Sequence, residues 1–368
     1  MNILFYTPFN SRSRDTESLM QAFVQQGHSV FLLTQAEHGA YHDACEQYGV
    51  RVAAKSIPKN NSLIYYLRHA FYLWKYCRRL QIQIVYAHLE TAALPAVLMQ
   101  YFTRARVFAC RHIIDEAVLS GNRNFMRIVQ MVYRLARNVI VVSKHSKSYM
   151  VQVERVNEKK ISVINLAYNF NLYPEPSPQE ISRIKKLFPC QLLLITACRL
   201  VKAKRPGHAI QLMKTLRTKK LDVRLVLLGE GPERTKLEEE IRNENLSDRV
   251  FLGGHRANIL DYLAAADVLI HPSILDSSSV IIKEAGLMGK IVMACKGIGD
   301  VDEYLVNGKN AILVEADRTV EEMALAVTRV YNNINDFEEM RSLLRESVMN
   351  RFSIDTILPL YSHIHRSV

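Results

Sequence analysis

The chain has 368 residues, of which 49% are hydrophobic, and it carries 48 Lys and Arg against 36 Asp and Glu. This composition excludes an intrinsically disordered chain, and the length is sufficient for two domains that each bury a core. No apolar run reaches the roughly 18 residues of a membrane-spanning helix, and the sequence opens on a strand pattern. We therefore expect a cytoplasmic protein with neither a transmembrane helix nor a signal peptide.

The first half of the sequence alternates strand and helix patterns. Seven apolar segments predict strands, namely NILFYT, HSVFLLT, RVAAKSI, IQIVYAHL, ARVFACRH, NVIVVSKH and ISVINLA. Helical patterns separate most of them, which is typical of a doubly wound parallel sheet. The six cysteines form no CxxC pair and lie largely in apolar runs, so we predict reduced, buried thiols and no disulfide or zinc framework.

Positive charge is concentrated in this first half. Residues 1–175 hold 21 Lys and Arg against 11 Asp and Glu. Much of the charge falls in residues 62–83 and 122–138, where cations alternate with aromatic side chains, among them Tyr65, Tyr66, Tyr72, Trp74, Tyr76 and Phe125. Two interpretations stay open: helices that lie on an anionic membrane surface, and ordinary amphipathic helices whose aromatic face packs on the core. No nucleic-acid partner is expected, because no nucleic-acid motif accompanies the charge.

The second half opens after a Pro-rich, polar segment, PEPSPQE at residues 174–180, which predicts a linker. LLLITACRLVKAKRPGHAIQLM then predicts a strand, a basic loop with Arg199 and Lys204, and a helix. VRLVLLGEGPERTKLEEEI predicts the next strand and helix, joined by a tight turn that contains Gly229 and Gly231. Taken alone, the loop and the turn have ordinary structural explanations.

Two carboxylates lie further along, between a strand pattern and a helix pattern. Asp276 follows DVLIHPS, and Glu284 lies in the first turns of SVIIKEAGLMGK, with seven residues between them. Both are therefore expected near the carboxyl edge of a parallel sheet, where open α/β folds bind ligands. Carboxylate oxygens accept hydrogen bonds from the vicinal hydroxyls of ribose or hexose, so the pair suits a sugar nucleotide. The residues that lead into the helix are Ser277, Ser278, Ser279 and Val280.

These motifs occur in an order that resembles the family 4 glycosyltransferases. The carboxylate pair resembles the family's signature of Glu, seven residues and Glu, with Asp276 in place of the first Glu. Arg199 and Lys204 match the Arg and Lys of the family's GRLxxxKG pattern, and Gly229 to Pro232 resembles its GxGP turn. The resemblance is specific over residues 192–317 and weaker before them.

The resemblance implies an α/β protein of the GT-B fold, with two Rossmann-like, doubly wound parallel-sheet domains that face each other across a cleft. An acceptor-binding domain is expected at residues 1–173 and a linker at 174–190. A domain for the nucleotide-sugar donor is expected at residues 191–350. The last helix, in residues 351–368, is expected to cross back to the first domain.

The resemblance also implies a role for each candidate site residue. Arg199 and Lys204 would stabilise the departing diphosphate, Glu284 would hold the ribose hydroxyls, and Asp276 would bind the donor sugar. His112 corresponds to a family histidine beside the transferred sugar. The further donor-binding residues would be Gly229, Gly231, Ser277, Ser278, Ser279 and Val280. Asp300 and Asp302 spell DxD but fall in the family's turn near the donor phosphates, so no metal and no other cofactor is expected.

Three features depart from the family pattern. Cys198 and Arg205 stand where the family has glycine, and both remove backbone freedom from the basic loop. Near the amino terminus, residues 10–14 (NSRSR) replace a glycine pair that lets backbone N–H groups approach the substrates. These changes predict altered loops, and the change at residues 10–14 affects the acceptor site.

Together, the motifs predict a retaining glycosyltransferase that uses a nucleotide sugar and a sugar or lipid-linked acceptor. We expect a role in cell-surface polysaccharide or glycolipid assembly, with the enzyme peripheral on the inner face of a membrane. Two alternatives stay open. One is a degenerate GT-B domain that binds a sugar nucleotide without transferring it, and the other is a GT-B sugar-nucleotide epimerase.

Overall fold

The structure is a computed structural model that describes residues 1–58, 62–112 and 123–366, without the side chains of residues 62, 123 and 366. Residue 122, at the start of the second basic segment, lies outside the described residues. The chain divides into two compact units. Unit 1 comprises Met1–Leu172 and Phe352–Val368, and unit 2 comprises Tyr173–Arg351.

Unit 1 contains, in its described part, one sheet of seven parallel strands. The strands are β1 (Asn2–Thr7), β2 (Ser29–Thr34), β3 (Arg51–Ala54), β4 (Ile84–His88), β5 (Arg106–Arg111), β6 (Asn138–Val141) and β7 (Ile161–Val163). The helices between them are α1 (Arg14–Gln25), α2 (Ala40–Glu46), α3 (Ser62–Arg79), α4 (Glu90–Met99), α5 (Arg123–Leu135) and α6 (Lys144–Gln152). Each strand lies inside one of the seven apolar segments predicted from the sequence, which confirms the doubly wound arrangement.

The central strands of unit 1 are largely continuous apolar runs because both faces of the sheet are covered. Phe5 packs in the cluster with α1, whereas its neighbour Leu4 packs in the cluster with α3 and α4 on the other face. Burying a side chain of this size stabilises the fold by about 1.5–3 kcal/mol. The strand order β3-β2-β1-β4-β5-β6-β7 reverses between β1 and β4, and such a switch point is where open α/β sheets bind ligands.

Unit 2 contains, among its described residues, a second parallel sheet with the order β10-β9-β8-β11-β12-β13. Its strands are β8 (Leu192–Ala197), β9 (Val223–Leu228), β10 (Val250–Gly254), β11 (Val268–His271), β12 (Ile291–Cys295) and β13 (Ile312–Val314). Its helices are α7 (Pro178–Leu187), α8 (Pro206–Thr218), α9 (Arg234–Asn243), α10 (Ile259–Ala265), α11 (Val280–Leu287), α12 (Val301–Tyr304), α13 (Thr319–Asn332) and α14 (Glu338–Phe352). The strand order reverses between β8 and β11, which is the switch point of this unit.

The segment predicted as a linker, residues 174–190, contains the helix α7. Ser177 begins it as the N-cap and accepts a hydrogen bond from Glu180 N at 3.3 Å, with Pro178 at the first helical position. This order of a capping serine followed by proline is a helix-start signal, so the polar segment folds as an element of unit 2.

The carboxyl-terminal helix is α15 (Ile354–Arg366), and it belongs to unit 1, where Ile357 and Tyr361 pack in the core. Short 3₁₀ turns complete the secondary structure at Glu158–Lys160, Phe170–Leu172, Lys202–Lys204 and Ile334–Phe337. Among the described helices, none has the combination of length and apolar character needed to cross a bilayer.

Candidate functional site

The candidate site of unit 2 is built from four loops that follow the carboxyl ends of adjacent parallel strands. In spatial order these are the loops after β9, β8, β11 and β12. They carry, respectively, Gly229 with Gly231, Arg199 with Lys204, Asp276, and Gly299. Because parallel strands end at one edge of their sheet, the loops are neighbours, and direct contacts join each one to the next.

Lys204 and Asp276 join the loops after β8 and β11. Lys204 Nζ donates to Asp276 Oδ2 at 2.7 Å and to the Leu275 carbonyl at 3.0 Å. His271 Nε2 lies 3.5 Å from the same Asp276 oxygen, and Ser277 N donates to Asp276 Oδ1 at 3.0 Å. Burial raises the pKa of Asp276, but His271 and Lys204 outweigh it and hold this pKa well below its usual value. Asp276 is thus a carboxylate at neutral pH, paired with the cation predicted to bind diphosphate.

Gly229 and Gly231 join the loops after β9 and β8. Gly229 has φ +126°, and a Cβ there would lie 1.9 Å from the carbonyl oxygen of Cys198. Gly231 has φ +157°, and its Cβ would lie 2.5 Å from the carbonyl oxygen of Leu200. Leu200 N also donates to the Glu230 carbonyl at 2.9 Å. Only glycine permits this approach of two backbones, so the pair positions the loop that carries Arg199. A direct contact of either glycine with a ligand stays a prediction.

Gly299 joins the loops after β12 and β11. It has φ +58°, and a Cβ there would lie 2.8 Å from the carbonyl oxygens of both Asp276 and Ser277. The DxD residues next to it are engaged within the protein: Asp300 forms an ion pair with Lys283 at 2.7 Å, and Asp302 accepts from Gly297 N at 2.6 Å. These contacts give the DxD carboxylates a structural role in the turn.

The three serines before α11 lie against a buried charge that the sequence analysis missed. Lys283 Nζ donates to Ser278 Oγ at 2.9 Å and to the Ser279 carbonyl at 3.1 Å. Ser277 and Ser279 are buried, whereas Val280 is exposed. A lysine inside the apolar helix pattern VIIKEAGL is the signal that would have revealed this contact, because a lysine is almost never fully buried without a partner.

Glu284 and Arg199 complete the set of predicted residues in unit 2. Glu284 lies on α11 and is buried, with 7% of its surface exposed. Arg199 is exposed in the loop after β8. The structure therefore places both on elements of the carboxyl edge, and their roles toward a ligand stay predictions.

Arg205 takes the conformation that glycine would take in the family pattern. Its φ of +48° and ψ of +46° are left-handed, a region that costs an ordinary residue roughly 1–2 kcal/mol. Its guanidinium donates to the Ala316 carbonyl at 2.5 Å, which holds the side chain on a neighbouring loop. The basic loop thus keeps a glycine-type turn without glycine. Cys198, the other departure, lies directly after β8, and its N donates to the Leu228 carbonyl at 3.0 Å.

Unit 1 places His112 in a polar cluster at the carboxyl edge of its sheet. His112 Nε2 and His88 Nδ1 share a hydrogen bond of 2.7 Å, and His112 Nδ1 lies 3.9 Å from Asp15 Oδ2 at the start of α1. Burial lowers the pKa of His112, and the Asp15 carboxylate opposes that shift. Burial and then His112 lower the pKa of His88 well below its usual value. Both rings are therefore neutral near pH 7, and a cavity of about 20 Å³ lies beside them.

The amino-terminal loop of unit 1 is ordered by its own polar side chains. Glu17, which is buried, accepts from Ser13 N at 3.1 Å and from Arg12 Nε at 3.1 Å. Asn10 donates to the Glu37 carbonyl at 2.9 Å. The residues that replace the family's glycine pair therefore hold the loop. Arg111, next to His112, is also structural, since it is 1% exposed and paired with Glu154 at 2.5 Å.

A second feature of unit 1 is an exposed apolar and basic face on α3 and α5. On α3, the exposed apolar residues are Leu63, Ile64, Leu67 and Phe71, and the exposed cations are Arg68, Lys75, Arg78 and Arg79. On α5, Ile128, Met131 and Leu135 are exposed beside Arg127 and Arg134. Tyr72, Trp74 and Tyr76 pack partly buried against the core, as the second of the two interpretations expects. The exposed face is therefore aliphatic and basic, with Phe71 as its exposed aromatic residue on α3.

In the described ranges, one group of side chains has a spacing suited to a metal ion: His38, Asp43 and Glu46, all exposed. It lies on and before α2, and it includes none of the residues predicted for the site. Exposed groups of this kind are common without an ion, and no metal role is assigned to it.

Two family models match the chain. The model described as Glycosyltransferase Family 4 matches residues 13–170, and the model described as Glycosyl transferases group 1 matches residues 178–347. Unit 1 and unit 2 thus each match a model over most of their length.

Named relatives are similar over most of the chain. The N-acetyl-alpha-D-glucosaminyl L-malate synthase of Bacillus anthracis is 22% identical over 79% of this chain and 76% of its own length. The N-acetylgalactosamine-N,N'-diacetylbacillosaminyl-diphospho-undecaprenol 4-alpha-N-acetylgalactosaminyltransferase of Campylobacter jejuni is 24% identical, over 71% of this chain and 72% of its own length.

A solved structure, Anabaena HepE in complex with UDP-glucose, matches all of both chains with a TM-score of 0.84 at 21% identity. At this identity the likeness shows the fold. It confirms the GT-B fold that the sequence motifs implied.

Proposed function

We propose that this chain, which belongs to the family 4 glycosyltransferases, transfers a sugar from a uridine diphosphate sugar to an acceptor with retention of configuration at the anomeric carbon. The observation that carries the proposal is the Lys204–Asp276 contact at the switch point of unit 2. The contact supports the proposal because it brings together a cation, which we assign to the diphosphate, and a carboxylate, which we assign to the sugar hydroxyls. HepE, which has the same fold, has been solved with UDP-glucose, and this supports uridine as the donor base.

Different residues of unit 2 bind different parts of the donor. Arg199 and Lys204 bind the diphosphate, and their charge stabilises it as a leaving group while negative charge develops in the transition state. Glu284 accepts hydrogen bonds from the ribose hydroxyls, and Asp276 accepts them from the donor sugar. Residues 278–280 offer backbone N–H groups at the start of α11 to a phosphate. The cations supply the charge compensation, so the proposed reaction requires no metal cofactor.

Unit 1 binds the acceptor, and His112 with Asp15 forms the polar group that meets it. The two side chains remain partly exposed, at 22% and 17%, so a hydroxyl has access to them. The Asp15 carboxylate, which already accepts from Ser13 Oγ at 2.5 Å, accepts a further hydrogen bond from that hydroxyl, and His112, held by His88, lies 3.9 Å from it. Transfer is favoured over simple binding or epimerisation, because both family models and the Campylobacter relative are named for glycosyl transfer.

A test of this reaction is proton NMR of the donor mixed with the enzyme. The anomeric signal of the sugar that is first released from UDP-glucose or UDP-N-acetylglucosamine reports the configuration before mutarotation. We expect the α anomer to appear first, as retention requires for an α-linked donor. The β anomer appearing first would contradict the retaining mechanism, while leaving the enzyme a glycosyltransferase.

We further propose that the acceptor is lipid-linked and that unit 1 docks on an anionic membrane, in the assembly of a surface polysaccharide or glycolipid. The exposed face of α3 and α5 combines apolar side chains that enter the headgroup layer with cations that meet phosphates. From residue 47 to residue 114 the sequence contains one acidic residue, Glu90, so little negative charge opposes this attraction. The Campylobacter relative is named for a diphospho-undecaprenol acceptor, which supports a lipid-linked substrate.

The four exposed cations of α3, each worth about 1 kcal/mol near an anionic leaflet, would hold the enzyme there at low salt. All six cysteines are free, and Cys45, Cys77, Cys110 and Cys295 are buried, which supports the cytoplasmic face as its location.

Vesicle flotation tests the docking. Wild type is expected to float with vesicles that contain an anionic lipid, to remain unbound with neutral vesicles, and to be released by salt. Changing Arg68, Lys75, Arg78 and Arg79 to Gln should abolish flotation, whereas changing the exposed unit 2 residues Lys214, Lys219 and Lys220 to Gln should not. Equal flotation of both variants would contradict a specific basic face, and a soluble acceptor would then be sought.

A further inference from the structure

The buried charges beneath the serine loop of unit 2 have no role in the proposed chemistry. Lys283 is 1% exposed and Asp300 is fully buried, and the two form an ion pair at 2.7 Å. Lys283 lies on α11, one residue before Glu284, and Asp300 lies in the turn after β12. The pair therefore joins two segments that carry predicted donor contacts.

Lys283, Asp300 and Ser278 form mutual side-chain contacts. Its Nζ donates to Asp300 Oδ2, Ser278 Oγ and the Ser279 carbonyl, which uses all three N–H groups of the ammonium. Ser278 Oγ in turn donates to Asp300 Oδ2 at 2.6 Å. Each of the three side chains thus contacts the other two, and the conformation of the serine loop is tied to both charges.

The Lys283–Asp300 ion pair is also linked to Asp276 through the backbone. Gly299 precedes Asp300, and its backbone packs so closely on the carbonyl oxygens of Asp276 and Ser277 that no Cβ fits. A shift of Asp300 would move Gly299 against the segment that carries Asp276. The ion pair is consequently coupled to the position of the residue proposed to bind the donor sugar.

Stability alone does not explain such a pair. Removing two charges from water costs free energy that their attraction often fails to recover, and apolar replacements of similar volume are commonly as stable. Removing one partner is different, because it leaves the other buried and uncompensated. Asp300 Oδ1 already lacks a hydrogen-bond partner among the described residues, so Lys283 is the main compensation for this carboxylate.

We propose that Lys283 and Asp300 are positioning residues, whose ion pair holds Ser278 and the backbone of residues 277–279 in the conformation that receives the diphosphate of the donor. This inference rests on the proposed nucleotide-sugar function and assigns a device within that site. Neither residue touches the substrate. Their effect is exerted through Ser278 and through the first N–H groups of α11.

The test compares UDP affinity, by titration calorimetry, with the melting temperature of the same variants. Lys283→Met should lower the melting temperature and raise the UDP dissociation constant about tenfold or more, since it breaks the pair and frees the loop. The double variant Lys283→Met with Asp300→Leu should recover the melting temperature, because no buried charge remains. Its dissociation constant should stay raised about tenfold, since Ser278 has lost both partners.

Two further variants separate positioning from general stability. Lys290→Met is the control, because Lys290 is a half-buried lysine just after α11 that donates to the Ala264 carbonyl at 2.8 Å, away from the serine loop. It should leave UDP affinity unchanged. Ser278→Ala removes the hydroxyl that the ion pair holds, so it should weaken UDP binding. Because the ion pair itself remains, the melting temperature should change little, and this variant is still informative if Lys283→Met does not fold.

Wild-type UDP affinity in the double variant would overturn the inference, and so would a double variant that remains as unstable as Lys283→Met, because the pair would then be needed for folding alone. A wild-type enzyme that binds no UDP would contradict the proposed donor itself, which is a different outcome.

Discussion

Lys204 and Asp276 offer the sharpest mutational test of the donor site, since each is assigned to a different part of the donor. In the structure the two are bonded to each other at 2.7 Å, with side chains 19% and 18% exposed. Lys204→Met removes the cation assigned to the diphosphate. Asp276→Asn keeps the shape of the side chain but removes the charge that Lys204 faces.

The expected magnitudes follow from these contacts. A hydrogen bond to a charged group contributes about 1.5–3 kcal/mol, so Lys204→Met should raise the UDP dissociation constant by roughly 10- to 100-fold. Asp276→Asn should leave UDP binding unchanged or tighter, because Lys204 is then released from its carboxylate partner. It should nevertheless reduce sugar transfer, or selection between donor sugars, by a similar factor, since UDP lacks the group that Asp276 contacts.

Titration calorimetry with UDP and steady-state rates with the intact UDP-sugar measure these two effects separately. Thermal denaturation of both variants controls for folding, since either change breaks the same pair. Equal losses of UDP affinity in the two variants would refute the assignment of Lys204 to the diphosphate and of Asp276 to the donor sugar. It would mean that Lys204 and Asp276 act as one structural salt bridge.

Three further predictions use other parts of the molecule. Glu284→Gln should raise the UDP dissociation constant about tenfold by calorimetry, because it weakens a charge-assisted bond to ribose, whereas an unchanged constant would exclude the ribose contact. Arg205→Gly should be more stable than Arg205→Ala by about 1 kcal/mol in thermal denaturation, because both lose the bond to Ala316 but only Gly relieves the left-handed strain; equal stabilities would contradict that strain. Burial and then Lys55 lower the pKa of His69 to about 4. Between pH 6.5 and 4 the unfolded chain therefore binds a proton that the folded chain does not, and the free energy of unfolding decreases as the pH is lowered through that window. A pH series of melting temperatures should therefore be flatter for His69→Gln, and a slope equal to that of wild type would refute this assignment.

The fold was predictable because most strands are apolar over most of their length. NILFYT coincides with β1, and the other six segments of the first half contain β2 to β7, since sheets covered on both faces leave no polar alternation. Within residues 174–180, which the polar composition predicts as a linker, Ser177 and Pro178 start a helix. Local capping chemistry decided that segment, and the frequency of proline there did not.

The candidate site was predictable in its residues but not in its contacts. Asp276 and Lys204 were identified separately, and their bond depends on β8 and β11 being neighbours, which is a property of topology. Arg205 was expected to alter the basic loop, yet it adopts a left-handed turn, and its side chain bonds to the Ala316 carbonyl. Lys283 gave a visible signal, a charge in an apolar helix, but its partner Asp300 is 17 residues away in sequence.

On α3, too, the sequence predicts the helix but not its contacts. Periodicity predicts an amphipathic helix, but it does not tell which face is covered by the neighbouring helix α4. In the structure Leu73 and Cys77 face the core, so Leu67 and Phe71 remain exposed. The membrane proposal consequently rests on a different set of apolar residues from the aromatic set named by the sequence.

We propose that unit 2 uses a nucleotide sugar for glycosyl transfer, and a donor-hydrolysis screen over UDP-, GDP- and ADP-sugars measures this activity. The nucleoside diphosphate released by wild type is compared with that released by Lys204→Met. We expect wild type to release UDP from a UDP-sugar and the variant, although folded, to do so at least about tenfold more slowly. Release of GDP or ADP in place of UDP would contradict the proposed base. No release from any donor, together with no calorimetric binding of the three nucleotides, would contradict the claim itself.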